Sequence, residues 1–134
     1  MITPLTCLTM AIYLEAGNQP LKGKVAVAQV VMNRTKHTPD NICDVVKEPY
    51  QFSFYWDGKP ETVPTLNKLE IQAYKESEGV ASAFLSEGGD GSHIEDMTKG
   101  AEHYHATYVS PCWTNREGSI KIGDHLFINE LGEC

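Results

Sequence analysis

The sequence predicts a mainly helical α+β domain with a small antiparallel sheet near its C-terminus, formed by residues 1–134 as one unit. Three long segments before Gly88 carry apolar residues at helical spacing, and the last third of the chain consists of short runs broken by turns. Helices followed by strands are typical of the α+β class. A chain of 134 residues has room for one hydrophobic core, so we expect a single domain.

The first helix is predicted between Thr3 and Gly17. Thr3 suits the N-cap, Pro4 suits the first helical position, and Gly17 ends the helix. Glu15 falls on the buried stripe, where burial would raise the pKa of its carboxyl group and suit it to donating a proton. The alternative is that Glu15, at a fraying helix end, turns into solvent or caps the next helix. The apolar members of the stripe are Leu5, Leu8, Ala11 and Ile12.

Three further helices are predicted before the sheet. One runs from Pro20 to about Lys36 and is apolar on two faces, which is usual for a central helix. A short helix covers Asn41 to Lys47. The last begins at Asn67, which forms a capping box with Glu70, and continues to a stop at Gly88–Gly89. Its apolar stripe consists of Leu69, Ala73, Val80, Ala83 and Phe84.

The loop before this last helix, residues 49–64, is rich in aromatic residues. Such a loop can plug the core, which is the commoner case, or offer a platform on which sugar rings stack. The sequence alone leaves both alternatives open. The aromatic residues are Tyr50, Phe52, Phe54, Tyr55 and Trp56.

Short strands are predicted at about His103 to Val109 and at Ile120 to Ile128, the second interrupted by a Gly123–Asp124 turn. His103 and His105 alternate onto one face of the first strand, and His125 can lie on a neighbouring strand. Three histidines would suit a zinc site with an open fourth position, as in a metal-dependent amidase. The commoner alternative is that these side chains bond to backbone or loop groups, and the chain has no His-Glu-x-x-His helix.

Charge and composition exclude several classes of function. A formal net charge of −7 argues against non-specific nucleic-acid binding, and no apolar run approaches the roughly 20 residues that span a bilayer. Because no basic stretch precedes the first apolar residues, we expect no cleaved signal peptide and synthesis in a cytoplasm. In a cytosolic chain cysteines are expected to be reduced and partly buried, although action outside the inner membrane would allow one disulfide. The four are Cys7, Cys43, Cys112 and Cys134.

An ordered set of motifs is spread over nearly the whole chain. Its segments are Ile12–Pro20, Val25–Arg34, Asn41–Val46, Gln51–Phe54, Gly100–Ala106, Pro111–Trp113 and Ile122–Phe127. Together they resemble the SleB/CwlJ cell-wall hydrolases, the spore-cortex-lytic enzyme family. There is one departure: many members have Arg-Gly-Glu where this chain has Gly17-Asn18-Gln19, so a second acid of the motif is absent.

The resemblance implies an enzyme that cleaves peptidoglycan glycan strands on a fold similar to lysozyme-like lytic transglycosylases, with Glu15 as the catalytic acid. Glycoside hydrolysis normally needs two carboxylates, whereas a lytic transglycosylase needs one, because the 6-hydroxyl of the muramic acid ring is the nucleophile. A single candidate acid therefore favours transglycosylation. For a two-carboxylate hydrolase, Asp57 or Asp44 would be the next candidate, although each is expected to be a turn or capping residue.

Six further side chains are predicted to bind the glycan. A sugar site needs neutral hydrogen-bonding groups and aromatic faces, which these residues supply. Each also has a structural alternative, either tying down a loop or packing in the core. The six are Gln51, Phe52, Ser53, Tyr104, His105 and Trp113.

We therefore predict a peptidoglycan-degrading enzyme that cuts the bond between N-acetylmuramic acid (MurNAc) and N-acetylglucosamine (GlcNAc). We expect it to work as a monomer without a metal or other cofactor, and neither to bind nucleic acid nor to insert into a membrane. We expect a phage endolysin, made in the host cytoplasm without a signal peptide and acting on periplasmic peptidoglycan. The alternatives are a lysozyme-type muramidase, a zinc-dependent N-acetylmuramoyl-L-alanine amidase and a non-catalytic glycan-binding protein.

Overall fold

The computed structural model describes residues 3–47, 67–86 and 90–134, in which the chain forms helices first and a three-stranded sheet last. This order confirms the predicted α+β class. None of the helices in these ranges is long and apolar enough to cross a membrane. The helices are α1 (Pro4–Ala16), α2 (Leu21–Arg34), α3 (Ile42–Val46) and α4 (Lys68–Leu85), and the strands are β1 (His103–Ala106), β2 (Ser119–Ile122) and β3 (His125–Ile128).

Helix α1 begins and ends where the sequence predicts. The Thr3 hydroxyl accepts a hydrogen bond from the Thr6 amide at 3.2 Å, and Gly17 follows the last turn. The helix packs against α2, α3 and α4, and the residues from Cys7 to Ile12 are buried in succession. Helix α1 is therefore a central helix, buried on more sides than the single predicted stripe. Helix α2, which was predicted to be central, is also buried along most of its length.

Helix α4 begins at the predicted capping box. Asn67 Oδ1 accepts a hydrogen bond from the Glu70 amide at 2.8 Å, and Asn67 Nδ2 donates to Glu70 Oε1 at 3.0 Å. The predicted apolar stripe is partly wrong. Leu69 is 79% exposed, because the first turn of α4 borders an open groove, and Ala83 is exposed at the edge of the buried face. The buried face consists of Ser77, Val80, Ala81 and Phe84.

Strand β3 lies between β1 and β2, and both pairings are antiparallel. Ala106 pairs with His125 and Tyr104 pairs with Phe127, so these four side chains share one face of the sheet. This inner face packs against α2, where Phe127 joins a buried cluster with Val27. Tyr104 contacts both this cluster and the larger core between the helices, so β1 is fixed against both.

The prediction of reduced cysteines is wrong, because two disulfides join all four. Cys7 on α1 bonds to Cys43 on α3, and Cys112 bonds to Cys134 beyond β3. The pairs are 36 and 22 residues apart in sequence, yet folding brings their Cα atoms to 5.3 and 4.9 Å. Sequence spacing does not reveal such pairs, since the Cys7–Cys43 bond depends on how α3 packs against α1.

Candidate active site

Glu15 lies half-buried in the last turn of α1, and its carboxylate accepts a hydrogen bond from the hydroxyl of Tyr104 on β1. The phenolic oxygen is buried. The packing of β1 against the helices therefore brings together two side chains that the sequence predicted for the site and that lie far apart in the chain.

The surroundings of Tyr104 keep its phenol protonated. Burial raises the pKa of Tyr104 well above its ordinary value of 10.0, the charge and hydrogen bond of Glu15 raise it further, and Arg34 acts in the opposite direction. A neutral phenol has one proton to donate, and here the Glu15 carboxylate accepts it. The Glu15 carboxylate is thus oriented by a hydrogen-bond donor that keeps its proton throughout the pH range in which carboxyl groups titrate.

Two aromatic neighbours on β3 hold the ring of Tyr104. Its centre lies 5.1 Å from that of His125 in an edge-on arrangement and 5.6 Å from that of Phe127 in a stacked one. Burial lowers the pKa of His125, the charge of Asp124 acts against this, and His105 lowers the pKa further. His125 therefore packs against Tyr104 as a neutral ring near pH 7.

The three histidines do not converge on one point. Side chains alternate along a strand, so His103 and His105 lie on the outer face of β1, whereas His125, paired with Ala106, lies on the inner face with Tyr104. Within residues 3–47, 67–86 and 90–134, no group of three or more His, Cys, Asp or Glu side chains is placed to hold a metal ion. The described part of the chain thus gives no support to the zinc-amidase alternative.

His105 and Trp113, both predicted to bind the glycan, contact each other on the outer face of β1 with ring centres 5.4 Å apart. His105 Nδ1 lies 2.7 Å from the Ala106 carbonyl oxygen, which can only accept, so Nδ1 is the donor. His105 Nε2 forms a hydrogen bond with the Thr114 hydroxyl at 2.7 Å. Both ring nitrogens are occupied within the protein, on the side of the strand away from the α1 carboxylate. Glycan binding by these two residues stays a prediction.

Several predicted residues lie outside the described part of the chain. They include three glycan-binding candidates, the aromatic loop around them, the acid Asp57 and the Gly88–Gly89 stop. Asp44, the other candidate for a second acid, is exposed on α3. The three glycan-binding candidates are Gln51, Phe52 and Ser53.

An open groove of about 620 Å³ lies between the C-terminal end of α1 and the first turn of α4. Its volume is in the range of small-molecule binding sites, and its walls combine apolar side chains with a few polar groups. Leu69, the exposed residue of α4, forms part of one wall. The lining residues are Tyr13, Leu14, Gly17, Asn18, Leu69, Glu70 and Ala73.

Gln19 is a residue whose role the sequence did not reveal. It is 7% exposed and hydrogen-bonds to Asp124, which the sequence places in the turn between the last two strands and which could also have served the alternative zinc site. The available signal was the position of Gln19, since it stands where the motif of many family members has an acid.

Sequence comparison relates the chain to enzymes of the bacterial cell wall. The model of the cell wall hydrolase family matches residues 18–128, a stretch that begins just after Glu15. The spore cortex-lytic enzyme of Halalkalibacterium halodurans is 31% identical over 126 residues, which cover 91% of this chain and 33% of that protein. The spore cortex-lytic enzyme of Bacillus subtilis is 29% identical over 124 residues, covering 90% of this chain and 35% of that protein. The chain thus spans about a third of the length of these relatives, 33% and 35%.

The fold is similar to two solved catalytic domains. The catalytic domain of the germination-specific lytic transglycosylase SleB from Bacillus anthracis matches with a TM-score of 0.61 at 25% identity, over 93% of both chains. The catalytic domain of the Bacillus cereus SleB protein matches with a TM-score of 0.60 at 24% identity, over 93% of this chain and 88% of that chain. These similarities confirm the predicted fold.

Proposed function

The chain belongs to the cell wall hydrolase family, and from that premise we propose that it cleaves peptidoglycan glycan strands as a lytic transglycosylase. Its membership confirms the resemblance found in the sequence motifs. The bond cut is the one between MurNAc and GlcNAc, and the MurNAc product carries a 1,6-anhydro ring. The similarity to the Bacillus anthracis lytic transglycosylase domain, at 25% identity, supports this reaction.

The hydrogen bond between Glu15 and Tyr104 is the observation that carries the proposal. A half-buried carboxyl group is suited to donate a proton, and a phenol that stays protonated stabilises the carboxylate left behind. Because a hydrogen bond to a charged acceptor is stronger than one to a neutral acceptor, the Tyr104 bond strengthens as the proton leaves. It therefore favours the transition state over the ground state.

The proposed reaction needs one acid that later acts as a base. Glu15 donates its proton to the bridging oxygen while the bond from that oxygen to C1 of MurNAc breaks, which leaves GlcNAc with a 4-hydroxyl. The Glu15 carboxylate then accepts the proton of the MurNAc 6-hydroxyl, while the oxygen of that hydroxyl bonds to C1 of the same ring. The 1,6-anhydro ring closes and Glu15 is protonated again. No water is consumed, because the nucleophile belongs to the same sugar ring.

The test is mass spectrometry of the fragments that the protein releases from purified Gram-negative sacculi in the presence of EDTA. Wild type should produce 1,6-anhydro ends, and Glu15→Gln should produce none, because its amide has no acidic proton to donate. Glu117→Gln, at an exposed position, is the matched control and should act like wild type. Reducing ends would instead identify a muramidase, and freed peptides with intact glycan would identify an amidase.

We further propose a monomeric phage endolysin, made in a host cytoplasm and acting on periplasmic peptidoglycan. The two disulfides support action in an oxidising compartment, since such bonds persist in the periplasm and are rare in the cytosol. In a Gram-negative host, lysis should require a co-expressed holin that opens the inner membrane. Lysis without the holin would contradict cytoplasmic retention, and a dimeric mass by light scattering would contradict the monomer.

A further inference from the structure

The side chain of Gln19 has a defined orientation against the β2–β3 turn. Its Oε1 accepts a hydrogen bond from the Asp124 amide at 2.9 Å, and its Nε2 donates to Asp124 Oδ2 at 3.1 Å. A backbone amide can only donate and a carboxylate can only accept, so the two ends of the Gln19 amide cannot be exchanged. The pair is therefore formed by one neutral amide, which both donates and accepts, and one carboxylate, which accepts.

Two glycines and a buried lysine pack closely around Gln19 and restrict its position. A Cβ at Gly23 would lie 2.9 Å from Gln19 Cβ, and a Cβ at Gly123 would overlap Gln19 Oε1. Gly123 also has a φ of +61°, which glycine adopts without strain. The buried Lys24 donates to the Gln19 carbonyl oxygen at 2.6 Å and forms an ion pair with Glu76 at 2.8 Å. Backbone and side chain of Gln19 are thus both fixed.

The Gln19–Asp124 pair connects the two elements that carry the candidate active site. Gln19 follows the last turn of α1, which carries Glu15. The backbone amide of Gln19 donates to the Ala16 carbonyl oxygen at 2.9 Å. On the other side, the Asp124 carbonyl oxygen accepts from the Thr107 amide at 2.8 Å, directly after β1. The Gln19–Asp124 pair thus connects the end of α1, which carries Glu15, to the end of β1, which carries Tyr104.

We propose that Gln19 is a positioning residue, which holds Glu15 at its hydrogen bond with Tyr104 by tying the end of α1 to Asp124. This role rests on the proposed function, because it concerns the same acid. Gln19 does not donate or accept the reacting proton. Its contribution is to the geometry of Glu15, and displacements of about 1 Å at a reacting group can cost on the order of 100-fold in rate.

The experiment exchanges the chemical groups of the pair. Gln19→Glu places a second carboxylate against Asp124 Oδ2, and like charges at that distance disfavour ionisation of both. Asp124→Asn alone keeps an acceptor for Gln19 Nε2, and we expect a smaller loss. The double variant Gln19→Glu/Asp124→Asn restores one carboxylate and one amide with their positions exchanged. Gln72→Glu, at an exposed position on α4, is the matched control for the added charge.

We expect Gln19→Glu to lower kcat on sacculi by roughly 10–100-fold at pH 7 with little change in KM, and the double variant to recover most of this loss. Activity of Gln19→Glu should also rise as the pH falls, because the two carboxylates can then share a proton. Among the residues that the structure describes, the other charged or titratable groups around the pair are Lys24, which is ion-paired with Glu76, and His125, whose pKa is lowered by burial.

The outcomes separate this proposal from the proposed function. If Gln19→Glu lowers only the melting temperature while its folded fraction keeps the wild-type kcat, the role of Gln19 is purely structural and the proposal is overturned. The proposal is equally overturned if the double variant is no better than Gln19→Glu. A wild type that releases no glycan fragments would overturn the proposed function, and the positioning role with it.

Discussion

The two faces of β1 carry similar side chains in different surroundings. On the inner face, Tyr104 packs between rings of β3 and donates to Glu15. On the outer face, His105 packs against Trp113 and has both ring nitrogens bonded to protein groups. Aromatic and imidazole side chains one residue apart thus differ in what they contact, because alternation along the strand separates them. Residue type alone does not identify a site residue, and the face of the strand has to be known.

One disulfide joins α1, the helix that carries Glu15, to α3, and the other contains Cys112, the sequence neighbour of Trp113. Removing either disulfide should have the largest effect on stability. Cys7→Ala/Cys43→Ala opens a loop of 36 residues and Cys112→Ala/Cys134→Ala one of 22, so each should lower the free energy of unfolding by roughly 3–4 kcal/mol. The first pair holds the helix of Glu15, whereas the second lies next to Trp113. Only the first should lower the kcat of protein that is still folded.

Urea unfolding monitored by circular dichroism, with fragment release measured on the same samples, tests this difference. Wild type in a thiol reductant should show both losses of stability together. An unchanged unfolding midpoint in reductant would show that the disulfides do not stabilise the fold. Equal losses of kcat in the two variants would show that the two regions are not independent.

The next effect in size concerns the hydrogen bond on the inner face. Tyr104→Phe keeps the ring contacts with His125 and Phe127 but removes the donor to Glu15. A hydrogen bond to a charged group contributes about 1.5–3 kcal/mol, so we expect kcat to fall by roughly 10–100-fold while the melting temperature changes little. Steady-state kinetics on sacculi and a thermal melt measure the two quantities.

The outer face supplies the comparison for this variant. His105→Ala removes the partner of the Thr114 hydroxyl and a donor to the Ala106 carbonyl oxygen, which still accepts from the Val109 amide. This loss should cost about 1–3 kcal/mol of stability. Because this side chain lies on the opposite face of β1 from Tyr104, we expect kcat and KM to stay near the wild-type values. A raised KM in His105→Ala would instead support the sequence prediction that His105 binds the glycan.

The sequence predicted the parts of the fold that depend on local interactions. The N-cap of α1 and the capping box of α4 involve residues three positions apart, and both are present in the structure. Glu15 was recognisable because helical periodicity places it beside the apolar residues of α1. The side of the sheet that faces α1 was not predictable, because it is set by the packing of Phe127 against α2 rather than by the order of residues in β1.

Contacts between distant segments account for the remaining differences. The Cys7–Cys43 disulfide and the Gln19–Asp124 pair each join residues whose proximity exists only in the folded chain. Leu69 was assigned to the core because its spacing suits the stripe of α4, but the first turn of that helix borders the groove. Periodicity predicts which face of a helix is apolar, whereas tertiary packing determines how far along the helix that face is covered.

The smallest predicted effect concerns Asp96, which anchors the segment before β1. Its Oδ1 accepts from the Thr98 amide at 2.7 Å and the Thr98 hydroxyl at 2.6 Å, and its Oδ2 accepts from the Gly100 amide at 2.8 Å and from Asn33 Nδ2 at 3.1 Å. Burial raises the pKa of Asp96, but the hydrogen bonds together outweigh it and hold the pKa below its ordinary value of 3.8.

Because the pKa of Asp96 is lower in the folded than in the unfolded chain, its carboxylate stabilises the fold above pH 3.8, and this contribution is lost as the pH falls through the folded value. Asp96→Asn should therefore be less stable than wild type at neutral pH and lose less stability on acidification, as urea unfolding over a pH series would measure. Asp44→Asn, exposed on α3, should follow the wild-type curve. Since Asp96 precedes β1 and bonds to α2, its loss should disturb both faces of the strand together. If Asp96→Asn and wild type lose stability in parallel, the acid dependence arises from other carboxylates.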